Sequence, residues 1–103
     1  MQPIGSRIGI IVEFQMEPAN HAAFTAIIAE HARMTREEEP GCQQFDVLQP
    51  MRKGAPDTTR VMLVEVYADD AAFKAHGENP RLAKVRDAYA ALITGRTLSL
   101  CNM

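Results

Sequence analysis

The chain has 103 residues, of which 47 % are apolar and 23 % charged, with a formal net charge of −2. That length suits one domain over residues 1–103. The scattered basic residues argue against a nucleic-acid surface, and no apolar run approaches the ~20 residues that cross a bilayer.

A domain this short buries only roughly 60–70 % of its unfolded surface, so a partner subunit would add stability. The opening "MQPIGSRIGIIVEF" has too short an uncharged run for a signal peptide. Cys42 and Cys101 match neither a metal-finger nor a redox spacing. A cytoplasmic protein with two reduced thiols is expected.

Residues 7–14, "RIGIIVEF", are β-branched and nearly continuous in apolar character, as in a central strand. Pro18 ends that run, and "NHAAFTAIIAEHARMTREEE" follows with helical periodicity. At about 100° per residue, Phe24, Ile27, Ile28, Met34 and Thr35 share one stripe. Pro40 and Gly41 stop the helix. Residues 42–49 read as a second strand, 49–59 as a loop rich in Pro, Gly and charge, and 60–67 as a third strand. Asp69 or Asp70 caps a short helix over 70–76 that Gly77 ends. Asn79-Pro80 opens the next helix, which runs to about Thr94 with Leu82, Val85, Tyr89, Leu92 and Ile93 as its stripe. Gly95 stops it, and 96–101 is a fourth strand.

The order β-α-β-β-α-β specifies an α+β, ferredoxin-like antiparallel sheet with the first and third strands in the centre. Cys42 and Cys101 then lie on opposite edges, too far apart for an internal disulfide. In this arrangement helices cover one sheet face only. Met62, Val64 and Val66 form a wholly apolar face on the third strand, and the first strand offers Ile10, Val12 and Phe14 against Ile11 and Glu13. Assigning both apolar sets to the uncovered face makes a patch too large to leave in water. A homodimer packed sheet against sheet follows, with Glu13, Glu65 and Tyr67 directed toward the helices.

Several polar residues fall in this apolar setting. His31 lies about 20° from Phe24 on the helical wheel, where an imidazole needs a partner, and Glu13 or Glu65 on the facing sheet could supply one. Such a pair is either a base oriented by a carboxylate or a satisfied core contact. His76 either exchanges a proton or caps its helix C-terminus. Tyr67 either bonds a substrate oxygen or fills a strand end. Arg86, beside Leu82 and Tyr89, either holds an enolate, phenolate or phosphate or snorkels to solvent. The catalytic candidates are therefore His31, His76, Tyr67 and Glu65, and the substrate-binding candidates are Arg86, Glu13 and Tyr89. The histidines lie 10 and 45 residues apart, which matches no metal-site spacing.

The segments "EPGCQQFDVLQ", "VMLVEVYADDAAFKAHGENPRL" and "ITGRTLSLCN" resemble the antibiotic biosynthesis monooxygenase family over nearly the whole chain. The resemblance implies a dimeric α/β barrel. The family includes cofactor-free quinol and polyketide monooxygenases, haem-degrading enzymes, and the isomerase of the phosphorylated autoinducer-2 signal. The "FDVLQ" strand and the tail look closest to the isomerase and quinol-oxygenase branches. The haem-degrading pattern departs from this chain, which has Tyr67 where that branch needs tryptophan, Arg86 near its iron-ligating histidine and Ile11 near its asparagine. The resemblance thus implies a monooxygenase acting on a small quinol, phenolic or polyketide-like substrate, with molecular oxygen as co-substrate and no metal or flavin. The alternatives are an isomerase of a small phosphorylated hydroxyketone and a non-catalytic dimeric ligand-binding module.

Overall fold

The computed structural model describes residues 5–103; Met1 to Ile4, within the segment read for a leader, lie outside the described residues. In chain order the elements are β1 (Ile8–Gln15), α1 (His21–Glu38), β2 (Cys42–Leu48), β3 (Met51–Arg52), β4 (Ala55–Pro56), β5 (Arg60–Tyr67), α2 (Asp70–Glu78), α3 (Pro80–Tyr89) and β6 (Gly95–Asn102). The main sheet runs β2-β5-β1-β6, antiparallel throughout, so the expected first and third strands are central. No described helix is long and apolar enough to cross a membrane. Cys42 and Cys101 are both free, on opposite edge strands.

Three local expectations change. Residues 49–59 hold a small β3–β4 hairpin, turned by Lys53 at φ 51° and Gly54 at φ 79°; two successive left-handed residues suit the tight hairpin turns that glycine favours. α2 continues through Gly77 to Glu78. α3 gives way at Ala90–Leu92 to a 3₁₀ turn, well before Thr94. There the Thr94 amide donates to the Gln15 carbonyl at 2.8 Å, drawing the chain into the sheet.

The larger correction concerns the faces of β1. Ile10 pairs with Glu65, Val12 with Leu63 and Phe14 with Val61. Directly paired residues share a face, so Ile10, Val12 and Phe14 point at the helices and are buried in the core. Phe14 meets Phe24 of α1 and Tyr89 of α3 with ring centroids 4.8 and 5.4 Å apart. Ile11 and Glu13 face away, paired with Val64 and Met62. Glu13 accepts hydrogen bonds from Arg60 and Gln15 on that open side. Glu65 and Tyr67 do point toward the helices, as expected, and both are buried.

Candidate functional site

The site lies between α1, α2, α3 and the covered face of the sheet. α1 brings His31 and Thr35 on its buried stripe, and its C-cap residue Glu39 turns back toward α2. Gly41 lets that turn pass close to α2, because a Cβ there would overlap the Ala72 side chain. The Asp69 carboxylate accepts from the Ala72 amide at 2.8 Å, starting α2 so that His76 falls in its last turn. Asn79 then caps α3, accepting from the Arg81 amide at 2.9 Å.

These elements enclose a cavity of about 150 Å³. Its walls are mainly apolar, including Val12, Leu63, Phe73 and Leu98, and its polar side chains are His31, Glu65, His76, Arg86, Tyr89 and Arg96. Arg96 belongs there because β6 pairs it with Phe14, on the helix side. Arg60 and Arg81 have acidic partners, whereas Arg86 and Arg96 have none among the described residues.

A single hydrogen-bonded network fixes the two histidines. His76 Nδ1 lies 2.9 Å from Glu39 Oε1, and the same carboxylate accepts from Arg81 Nη2 at 3.0 Å through Oε2. Arg81 Nη1 lies 2.8 Å from His31 Nδ1 and 3.0 Å from Thr35 Oγ1, and its Nε donates to Glu38 at 3.1 Å. The Tyr67 hydroxyl donates to Glu65 Oε1 at 2.7 Å, and that oxygen is 3.8 Å from His76 Nε2. The imidazole rings of His31 and His76 are 5.8 Å apart, and that of His76 is 4.9 Å from the Tyr67 ring.

Partner chemistry assigns the ring protons. A carboxylate can only accept, so His76 carries hydrogen on Nδ1; in the neutral ring Nε2 is then a free lone pair. A guanidinium can only donate, so His31 Nδ1 accepts, and the hydrogen of its neutral ring sits on Nε2. Burial, then the positive charges of Arg81, His76 and Arg86, pull the His31 pKa down to about 4. Burial raises the Glu65 carboxyl above its usual range, opposed by the Tyr67 hydrogen bond and His76. The Tyr67 phenol is raised by burial and by Glu65 beside it.

The structure thus gathers His31, His76, Glu65, Arg86 and Tyr89 around one cavity. Tyr67 is fully buried behind them with its hydroxyl on Glu65. Glu13 lies across the sheet and does not line the cavity, contrary to its expected place among the binding residues. The partner of His31 is Arg81, rather than Glu13 or Glu65, because Arg81 reaches α1 from the start of α3. Sequence reasoning missed Glu39, Arg81, Thr35 and Arg96. Glu39 belongs to an acidic run that reads as a solvated helix end, and its contact to His76 spans 37 positions. One signal was present: a cation in the first turn of α3 and acids in the last turn of α1 both oppose their helix dipoles.

Among the described residues, no group of three or more His, Cys, Asp and Glu side chains is placed to hold a metal ion. The family model described as antibiotic biosynthesis monooxygenase matches residues 7–88. No curated protein matches the chain. Solved structures do. One, provisionally described as an antibiotic biosynthesis monooxygenase from Nitrosomonas europaea, is 24 % identical, with 100 % of this chain and 95 % of that chain covered and a TM-score of 0.87. Another with the same provisional description, from Caulobacter crescentus, is 20 % identical over 97 % of this chain and 92 % of that one, with a TM-score of 0.86. A protein from Mycobacterium tuberculosis is 22 % identical over 95 % of each chain, with a TM-score of 0.82. At these identities the likeness shows a shared fold.

Proposed function

The chain belongs to the antibiotic biosynthesis monooxygenase family, and from that premise we propose that it is a homodimeric oxygenase that works without metal or flavin on a small phenolic or quinol-type substrate. The observation that carries this reading is the setting of His76. Its Nδ1–H is anchored on Glu39, and its other nitrogen faces Glu65 in a mainly apolar cavity. A histidine oriented by a carboxylate in this way is a general base. It takes the hydroxyl proton of the substrate, and the resulting electron-rich anion reduces dioxygen. In a quinol, one oxygen atom replaces a ring hydrogen as a hydroxyl, the two original hydroxyls become carbonyls and the second oxygen atom leaves as water, so the substrate supplies all four electrons and no external reductant is needed. The protein supplies the base, a water-poor wall and hydrogen-bond donors for the anion. The cavity is smaller than the roughly 300–1,000 Å³ that holds drug-sized ligands, which favours a compact substrate.

The open sheet face, with Ile11 and Val64 paired across it, supports the dimer. Ile11 is 44 % exposed in the isolated chain, a large apolar side chain that a second copy would cover.

Oxygen uptake with a menadiol-type quinol tests the reading. The wild-type dimer should consume oxygen, and His76→Gln should fold with an unchanged melt while losing about 10²–10⁴-fold in rate, the typical worth of general base catalysis. An active His76→Gln variant would remove His76 as the base. A second reading is favoured by one observation: Arg86 and Arg96 line the cavity without acidic partners among the described residues, which suits an anionic substrate such as a phosphorylated hydroxyketone. There the same base would move a proton between carbons, with no oxygen consumed. A module that only binds would show a ligand-dependent melting shift and neither reaction.

A further inference from the structure

The two histidines present opposite chemistry to the cavity, and one ion pair sets both. Glu39 holds His76 by Nδ1–H through one carboxylate oxygen and receives Arg81 on the other. Arg81 in turn donates to His31 Nδ1. A carboxylate behind one ring leaves an accepting edge outward, and a guanidinium behind the other leaves a donating edge outward. Arg81 has little freedom to do otherwise. Thr35 and Glu38 also accept from its guanidinium, its amide is capped by Asn79, and its side chain is 13 % exposed. A second proton on His31 would set N–H against N–H and break that contact. The Phe45 and His31 rings stand nearly perpendicular, with centroids 5.4 Å apart. His31 Nε2 has no protein hydrogen-bond partner among the described residues, yet no described buried side-chain nitrogen lacks one, so Nε2 is not sealed from solvent, and His31 lines the cavity.

We propose that His31 is a neutral hydrogen-bond donor to the substrate oxyanion, that Arg81 is the positioning residue that enforces this role, and that His76 acts alone as the base. The inference rests on the proton-transfer reading above. It replaces the choice between two bases with a division of labour: as His76 removes the proton, His31 Nε2–H faces the oxygen on which negative charge develops. A neutral imidazole held in one tautomer can stabilise such an oxygen without itself giving up a proton.

Two measurements test it, neither requiring turnover. The first is nitrogen NMR of histidine-labelled protein without ligand, with signals assigned through His31→Gln and His76→Gln. His31 should carry its hydrogen on Nε2 at neutral pH and remain neutral to about pH 5, whereas His76 should carry hydrogen on Nδ1. The charged and titratable groups facing His31 are Arg81 and Arg86 from α3 and His76 from α2, and Glu38 and Glu39 act through Arg81. Arg81→Met should release His31 into a mixture of tautomers and raise its pKa, while burial still holds it below the ordinary histidine range. The second uses a nitrophenol whose absorbance reports its ionisation. Hydrogen bonds to a charged group correspond to roughly a 10–100-fold preference, so wild type should favour bound phenolate over phenol by about that factor. Arg81→Met should remove most of the preference, and Arg81→Lys, which can still donate to Nδ1, should recover it.

Finding Nδ1–H or the imidazolium on wild-type His31 at neutral pH overturns the inference, even if Arg81→Met fails to fold. An unchanged phenolate preference in folded Arg81→Met overturns it as well. If quinols are not consumed while the tautomers and the phenolate preference are as stated, the oxygenase reading fails and the division of labour stands.

Discussion

A neutral, buried His31 ties stability to pH with a definite sign. The folded-state pKa is pulled from 6.5 to about 4, so between those values the unfolded chain holds a proton that the folded chain does not. Stability therefore falls as pH drops through this window and levels off below it. At about 1.36 kcal/mol per pKa unit, the full cost is about 3 kcal/mol, a large share of the ~5–15 kcal/mol that holds a small domain folded. Glu65 acts in the opposite sense. Its raised pKa means the folded state binds a proton more readily, so its contribution is greatest at low pH and is lost as pH rises through the folded value. A comparison of wild type with His31→Gln separates the two, because Glu65 is common to both proteins. Gln also offers an oxygen to Arg81, which keeps that guanidinium satisfied.

The assay is urea unfolding followed by far-ultraviolet circular dichroism at pH 7 and pH 4, at one fixed protein concentration because the proposed dimer would make stability depend on it. Going to pH 4, wild type should lose about 3 kcal/mol more than His31→Gln. With a urea slope of ~1–3 kcal/mol/M, the extra shift in midpoint is on the order of 1–3 M. Parallel losses in the two proteins would refute the claim that His31 is held neutral by its surroundings.

Val64→Asp places a carboxylate on the open sheet face, paired with Ile11; light scattering should give twice the 11.4 kDa chain mass for wild type and monomer or aggregate for the variant. A soluble wild-type monomer would end the dimer proposal. Tyr67→Phe deprives Glu65 of its donor and should cost about 1–3 kcal/mol at neutral pH. The cost should shrink at pH 4, where a protonated Glu65 carries no charge to stabilise, and an equal cost at both values would show that Glu65 never ionises in the folded protein. Oxygen uptake should survive prolonged EDTA dialysis, and activity that is lost there and restored by one metal equivalent would defeat the metal-free proposal.

How far the sequence reaches depends on whether a feature is local. Periodicity within one helix puts His31 among Phe24 and Ile28, and alternation within one strand sends Glu65 and Tyr67 to the same side. The side of β1 is not local. Ile10, Val12 and Phe14 are no more apolar than a strand buried on either face, so matching them to Val64 by composition picks the wrong parity. The register decides instead: partner numbers on β1 and β5 always add to 75, so even positions on one strand share a face with odd positions on the other. That one relation sends Glu13 out of the site and the three apolar side chains into the core.

Glu39 and Arg81 pose a different problem, since their roles depend on contacts across 37, 42 and 50 positions. Local rules nevertheless mark them by being broken. Glu37 and Glu38 occupy the last turn of α1 and Glu39 its C-cap, at the negative end of the dipole; Arg81 follows Pro80 in the first turn of α3, at the positive end. Each placement costs a few tenths of a kcal/mol to about 1 kcal/mol alone. Together they cancel, because the unfavourable acid of one helix neutralises the unfavourable cation of the next. Two helix ends that violate the same rule with opposite signs are candidates to meet. Where local preference is given up in this way, a functional or strained site is the expected reason. Here the meeting point lies behind both histidines of the cavity.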